Sequence, residues 1–412
     1  MKFYKDLNYI LLLIFVILYP ILPTYGKYSS DIIIYSLILV NTLCFLLIKE
    51  YRLKVINIIK SIYKDKLFIS LILLNLSMYA STFVAINKRV AFTNSIRFSL
   101  YLFIFYLISY TVENKKNITV ITNSFIITAI FSSIISIYQI IKLISIGESL
   151  TNTNNRISSF LENSNNLGAY SLLALFIVLM LIINSKKKTH KLIYTFSSIL
   201  LLINIVFSQS RNSLIGLIIG IVIIAVLYDK RFIIASFVFP ILLLVIPQSR
   251  VRILQIFDFT QNSSRFKIWE TTRLMIHDNP LLGIGYENFQ YQYPIYVNRD
   301  PSSLLVSENY IALHPHNVFL KFQVELGILG SIFFLLFLLF TIYTTIKLIR
   351  RCNNKYISNL SIGIIAGFIS INFMNLIDNF YSAPKVLITM LVILGIENYY
   401  INTILKNNKK QG

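Results

Sequence analysis

The sequence specifies an all-α, polytopic integral membrane protein. Two observations carry this. Of 412 residues, 56% are hydrophobic and 13% charged, with a mean hydropathy of +0.69. The apolar residues also fall into separate runs, each near the roughly 20 residues that a helix needs to cross a bilayer core. Inside hydrocarbon every backbone N–H and C=O must find its partner within the segment, so a chain with many such runs crosses as helices.

Twelve runs are legible, at 10–22, 32–48, 67–84, 98–111, 120–141, 167–183, 192–207, 214–227, 232–246, 329–346, 357–377 and 386–401. The first follows Lys2 and Lys5 in the manner of a signal peptide, but no small-residue cleavage site follows Pro20, and it is read as a membrane helix. Basic residues are retained on the cytoplasmic side. With a cytoplasmic N-terminus, 23 of the 38 lysines and arginines fall in the segments then placed inside, and both termini are cytoplasmic. The net charge of +21 is thereby a topology signal and an attraction to anionic membrane lipids, and is poor support for a nucleic-acid partner. Cys44 and Cys352 are too far apart in this layout to pair.

The chain divides accordingly into spans one to nine (1–246), a long extracytoplasmic loop (247–315) and spans ten to twelve with a cytoplasmic tail (316–412). The loop is not linker-like. It is rich in aromatic residues, and Ser263 or Ser264 caps a helix expected from about Arg265 to His277, ended by Asn279-Pro280. Gly283-Ile284-Gly285 reads as a tight return towards the membrane, since no strand precedes it to make a phosphate loop. The run His314-Pro315-His316-Asn317, followed by Gly327-Ile328-Leu329-Gly330, is where chemistry is expected.

Several patterns occur in order: Arg156 to Tyr170 with Asn166-Leu167-Gly168 entering a span; Ser210-Arg211 before another; Arg265 and Trp269 on the loop helix, then Asn279 to Phe289; and His316-Asn317 ahead of Gly327 and Gly330. In that order, around one long outer loop, they resemble the O-antigen ligase and O-antigen polymerase superfamily of bacterial envelope glycosyltransferases. The resemblance is strongest over 156–331.

It implies a donor glycan carried on a polyprenyl diphosphate and transferred, at the outer face of the cytoplasmic (inner) membrane, to a hydroxyl of a glycan or lipid acceptor. Arg211 and Arg265 are then the candidates for gripping the diphosphate, because guanidinium makes paired, charge-assisted hydrogen bonds to phosphate and stays protonated. Arg89, with Lys88 and Arg97, ranks second. Without the resemblance, Arg211 reads as an interfacial anchor and Arg265 as part of a solvated helix face. The loop from Arg250 to Pro315 carries six basic and six acidic residues, so any anion site in it depends on placement and not on bulk charge.

The acceptor hydroxyl must lose a proton as it attacks, and a neutral imidazole is suited to take it. His316 is the catalytic candidate. Pro315 in a first helical turn would set His316 at the positive end of a helix dipole and keep it neutral. The bland alternative is an interfacial histidine bonded to a carbonyl. His314, pointing elsewhere, is expected to be secondary; Asn317 is placed to orient ring or acceptor, and Gly327 and Gly330 to let a short helix over 317–326 bend or pack closely. Neither a third ligand nor an Asp-x-Asp pair accompanies the histidines, so no metal and no cofactor are expected. A transporter or flippase moving a lipid-linked glycan without bond chemistry is the competing class. The acids in or near late spans, Glu325, Asp378 and Glu397, are few, and no internal repeat is visible.

Overall fold

The computed structural model describes residues 2–24, 29–152, 154–255, 263–299 and 311–405. Among them every regular element is helical. The first half of the chain forms α1 (Lys2–Leu18), α2 (Asp31–Leu47), α3 (Lys49–Ile62), α4 (Lys66–Ser81), α5 (Lys88–Tyr106), α6 (Lys115–Ser145), α7 (Ser164–Asn184) and α8 (Lys188–Phe207). The second half forms α9 (Arg211–Leu227), α10 (Phe232–Val245), α11 (Pro247–Leu254), α12 (Ser263–Asp278), α13 (Phe289–Arg299), α14 (Val318–Arg351), α15 (Lys355–Met374) and α16 (Pro384–Tyr400).

Short polar residues start many of these helices. Asp65, Asn87, Asn114, Asn163, Ser210, Asn317 and Asn354 each stand at an N-cap and accept a hydrogen bond from an amide of the first turn. Such caps satisfy donors that have no intrahelical partner.

Each of the twelve apolar runs falls within a helix or its last turn, but their lengths sort them. Among the described residues, seven helices are long and apolar enough to cross a membrane, and nine if α2 with α3 and α10 with α11, each bent by 109°, count as one span apiece. The remaining three runs lie on α1, α4 and α9, which have 17, 16 and 17 residues. At 1.5 Å per residue these reach roughly 24–26 Å, a little short of a hydrocarbon core of about 30 Å. The 247–315 segment differs from expectation too: it holds α11 and α13 besides the anticipated α12. Pro294 inside α13 reads as a breaker in sequence, yet the helix buries Phe289, Tyr293 and Tyr296 against Ile268 and Met275 of α12.

α7 and α15 form the axis of the bundle, with 83% of each apolar window buried. They approach closely because Gly363 leaves room: a Cβ there would lie 2.7 Å from the carbonyl oxygen of Phe176. Polar side chains tie helices across the interior, as where Asn204 Nδ2 donates to Ser132 Oγ at 3.0 Å and to Ser171 Oγ at 3.1 Å. The outward faces are apolar at helical spacing, with Leu39, Leu43 and Leu46 on α2, Ile127, Ile134 and Ile141 on α6, and Ile234, Phe237 and Ile241 on α10 all exposed. That pattern fits lipid as the surrounding solvent and makes the chain a multi-pass membrane protein.

The two ends of the bundle differ. At one, Lys5 and Lys54 pair with Glu113 at 2.7 and 3.3 Å, and Asp65 accepts from Tyr110 and Asn398, bringing the starts of α1 and α4 to the end of α16. At the other, Arg97 pairs with Asp31 at 2.6 Å, Lys385 donates to the Phe160 carbonyl at 2.6 Å, and Asn87 N donates to Asn288 at 2.7 Å. This second end carries the histidines.

Candidate functional site

A break in α14 builds the floor of the site. Gly327 has φ 67° and ψ −164°, which takes it out of the helix and frees the carbonyls of the preceding turn. The return after α12 occupies them: Ile284 N donates to Val324 O at 2.9 Å and Gly285 N to Glu325 O at 3.0 Å, while Ile328 N turns to Pro280 O at 2.9 Å. Only glycine permits this docking. A Cβ at Gly283 (φ +69°) would stand 2.4 Å from the Glu325 carbonyl carbon, and one at Gly327 would stand 2.1 Å from Leu281 O. Gly330 plays a different part, since its Cβ would meet the Leu326 side chain of its own helix at 2.2 Å.

The same junction holds a buried ion triad that sequence reading missed. Lys321 Nζ lies 2.9 Å from Glu287 Oε1 and 2.8 Å from Glu325 Oε2, and both Lys321 and Glu325 are wholly buried. Glu287 N also donates to Glu325 Oε2, and Ser382 Oγ donates to Glu287 Oε1, both at 2.9 Å. Lys321 and Glu325 are four apart in an otherwise apolar helical stretch, and that spacing was the available signal.

Above this floor the histidine segment is held without being helical. α14 starts at Val318 with Asn317 as its cap, so Pro315 is not in a first turn and His316 precedes the helix. The better cap two residues on takes the start, and the backbone of His316 enters the left-handed region at φ 51°. Asn317 Oδ1 accepts from Leu320 N at 3.1 Å as the helix cap, which leaves its Nδ2 as the group that could orient ring or acceptor. His314 does not point away: the two imidazoles meet edge to face with centroids 4.3 Å apart, and His314 Nδ1 accepts from His316 N at 3.2 Å. Trp269 Nε1 donates to Pro315 O at 2.8 Å and so pins the segment to α12.

Both rings are held neutral. Burial pushes His314 down to about 3, with His316, Lys321 and Arg265 adding to the effect. Burial also lowers His316; Asp378 opposes this and Arg265 reinforces it. Among the described residues, the buried Nδ1 of His316 has no hydrogen-bond partner.

Asp378 links the histidine to a group of arginines. Its Oδ2 accepts from Asn165 at 3.0 Å and from Asn212 at 3.3 Å, and Asn165 Oδ1 accepts from Arg156 at 2.5 Å. Arg211, next to Asn212, donates to Gln255 O at 2.9 Å; Arg252 donates to Gln255 Oε1 and to Gln209 O, both at 2.7 Å; Arg156 donates to Ser208 O at 2.9 Å. The three guanidinium groups lie within Coulomb reach of one another. For Arg156 burial and the neighbouring Arg211 lower the pKa while Asp378 raises it. Three half-buried cations thus gather around one turn, with Asp378 acting on Arg156 among the described residues, and concentrate positive charge there.

Arg265, half-buried on α12, acts on both imidazoles, and no hydrogen bond or ion pair among the described residues engages it. Arg89 is exposed at the start of α5. In the sequence, Arg156 and Asp378 stand out without a role in the site, and Arg252 only as one of the basic residues of the loop. Their adjacency joins residues up to 222 positions apart, and no local pattern encodes it. Among the described residues, no group of three or more His, Cys, Asp or Glu side chains is placed to hold a metal ion.

Residues 196–335 match the family model described as O-antigen ligase. That segment contains Arg211, Arg265, His314, His316, Asn317, Gly327 and Gly330, in agreement with the resemblance seen in the motifs. A Rickettsia felis protein described as "Putative polysaccharide ligase" is 27% identical over 214 residues, covering 49% of each chain. The chain thus spans about half the length of the curated relative it matches.

Proposed function

From the O-antigen ligase match as premise, we propose that this membrane protein transfers a glycan from a polyprenyl-diphosphate carrier to a hydroxyl of a glycan or lipid acceptor. The single observation that carries the reading is the part-buried imidazole of His316, whose Nδ1 has no hydrogen-bond partner among the described residues, set with Arg265 and Asp378 beside a group of three further arginines at one polar end of a bundle of apolar helices.

In this reading the acceptor O–H gives its proton to His316 as its oxygen attacks the anomeric carbon of the donor. The bond from that carbon to the diphosphate oxygen breaks, and the polyprenyl diphosphate departs with the electron pair. The leaving group needs no protonation, but the charge on it grows. Arg211, Arg156 and Arg252 supply guanidinium groups fixed by protein contacts, and Arg265 one that is not so engaged among the described residues, in a partly dry site where such stabilisation is large. Asp378 keeps the asparagines of the arginine group in place and faces the imidazolium as it forms. Arg89, exposed on the same end, serves at most to hold carrier headgroups. On this reading the site lies on the extracytoplasmic side of the cytoplasmic membrane in a chain with twelve crossings; the lysines and arginines that the sequence gathers in the segments then placed inside support that orientation.

Reconstitution with a polyprenyl-diphosphate-linked glycan and a hydroxyl acceptor tests this. A new glycosidic product, formed equally in EDTA, is the expected result. Movement of intact donor across the bilayer with no product would overturn transfer in favour of a flippase.

A further inference from the structure

A second polar cavity, of about 220 Å³, lies on the other flank of the Asp378–Ser382 segment from the arginine group. Its walls are α5, the turn after Gly285 and the start of α16, and its polar lining comes from Asn94, Arg97, Glu287, Gln290 and Ser382, with Tyr381 among the aromatic walls. None of these side chains is assigned to the proposed chemistry. We propose that this cavity is a binding site for one neutral sugar residue, that of the acceptor glycan; the assignment to the acceptor rests on the transfer reading above.

Size is the first argument. Pockets for drug-sized ligands run to roughly 300–1,000 Å³, and this one is smaller, suited to a single ring. Charge is the second. Arg97 is neutralised by Asp31 at 2.6 Å, and Lys321 is shared between Glu287 and Glu325, so the lining has no net positive charge with which to attract a second phosphate.

Hydrogen-bonding capacity is the third. Glu287 spends Oε1 on Lys321 and Ser382, while its Oε2 has no partner among the described residues. The half-buried Gln290 amide is likewise without a partner among the described residues, and Asn94 uses only Nδ2, on Val90 O at 3.0 Å. An acceptor carboxylate and amide groups offering both donor and acceptor, around one small volume, match vicinal hydroxyls. Tyr381 lines the same volume, and an aromatic wall suits the apolar side of a pyranose.

Position is the fourth. Asn379 Nδ2 donates to Ser382 Oγ at 2.8 Å and Ser382 donates to Glu287, so one short segment carries Asp378 towards the arginines and Ser382 towards the cavity. The donor diphosphate and the acceptor sugar would thus approach His316 from opposite flanks.

Saturation-transfer NMR on nanodisc-embedded protein, with methyl glycosides of glucose, galactose and N-acetylglucosamine as probes, tests the site without requiring turnover. At least one glycoside is expected to give a signal that falls at least fivefold in Gln290→Leu, whose side chain makes no hydrogen bond among the described residues, and in Asn94→Leu, yet persists in His316→Ala. In transfer assays the same two variants should raise the acceptor KM about tenfold and leave the donor KM unmoved. No signal from any glycoside in the wild type, or full signal in both leucine variants, overturns the proposal and leaves hydration only. Sugar binding that responds to Gln290→Leu in a protein with no transfer activity would support the site and sink the transfer reading alone.

Discussion

Replacing Lys321 with methionine keeps much of the aliphatic volume and removes the one cation between Glu287 and Glu325. Lys321 and Glu325 have no exposed side-chain surface, and Glu287 is 25% exposed, so water cannot take over the lost interactions at Glu325. Breaking a buried pair from one side costs about 3–5 kcal/mol, because the remaining charge is left uncompensated. Here two carboxylates are stranded, and the junction they hold also carries the α14 break. The chain has a single tryptophan, Trp269, whose indole is bonded to Pro315 beside the site. Its fluorescence during thermal unfolding in detergent therefore reports on this junction. Lys321→Met should lower the midpoint markedly, and Lys321→Met/Glu325→Gln should recover a large part of the loss. A single variant as stable as the wild type, or a double variant less stable than the single, would refute the reasoning.

The other predictions concern the chemistry and the backbone. Since burial sets the His316 pKa below its ordinary 6.5, the transfer rate should be level above about pH 6.5 and fall only at lower pH. A rate still climbing between pH 7 and 9 contradicts a neutral base. The same shift makes acid destabilising: protonation favours the unfolded chain as pH drops through 6.5, a loss that grows until the folded-state value is reached. Arg211→Ala and Arg265→Ala should each cost about 1.5–3 kcal/mol in donor use, with lysine restoring only part; unchanged donor kinetics in both removes the diphosphate role. Gly327→Ala forces a side chain into a backbone region that costs about 1–3 kcal/mol and onto Leu281 O at 2.1 Å, so it should fold poorly or lose the Trp269 signal of the docked loop. Normal expression and fluorescence would show that the break tolerates a Cβ.

Much of this fold is legible because the bilayer constrains it. Apolar runs can only be helices, and the Ser263-Ser264 cap and the Asn279-Pro280 stop bracket α12 in the sequence. The types of residue at the site are legible as well: histidine and arginine outside the apolar runs have few uses that a lipid-facing chain would retain. What the linear pattern hides is partnership. Asp378 reads as a lone acid near a span end until the fold sets it against Asn165 and Asn212. Lys321 reads as an interruption of a helix until Glu287 returns from the loop. The expectation for Pro315 failed on a local competition, in which an asparagine cap outweighs a proline first turn and leaves His316 at positive φ. In α13, tertiary burial of Phe289, Tyr293 and Tyr296 outweighs the proline that argues against a helix.

The most direct test of the central claim is the transfer rate of His316→Ala in proteoliposomes at saturating donor and acceptor. Trp269 fluorescence serves to confirm that the loop remains docked. The account predicts a fall of about 10²–10⁴-fold, the contribution of a positioned general base. A rate within about twofold of the wild type, in protein with the wild-type fluorescence signature, would contradict it.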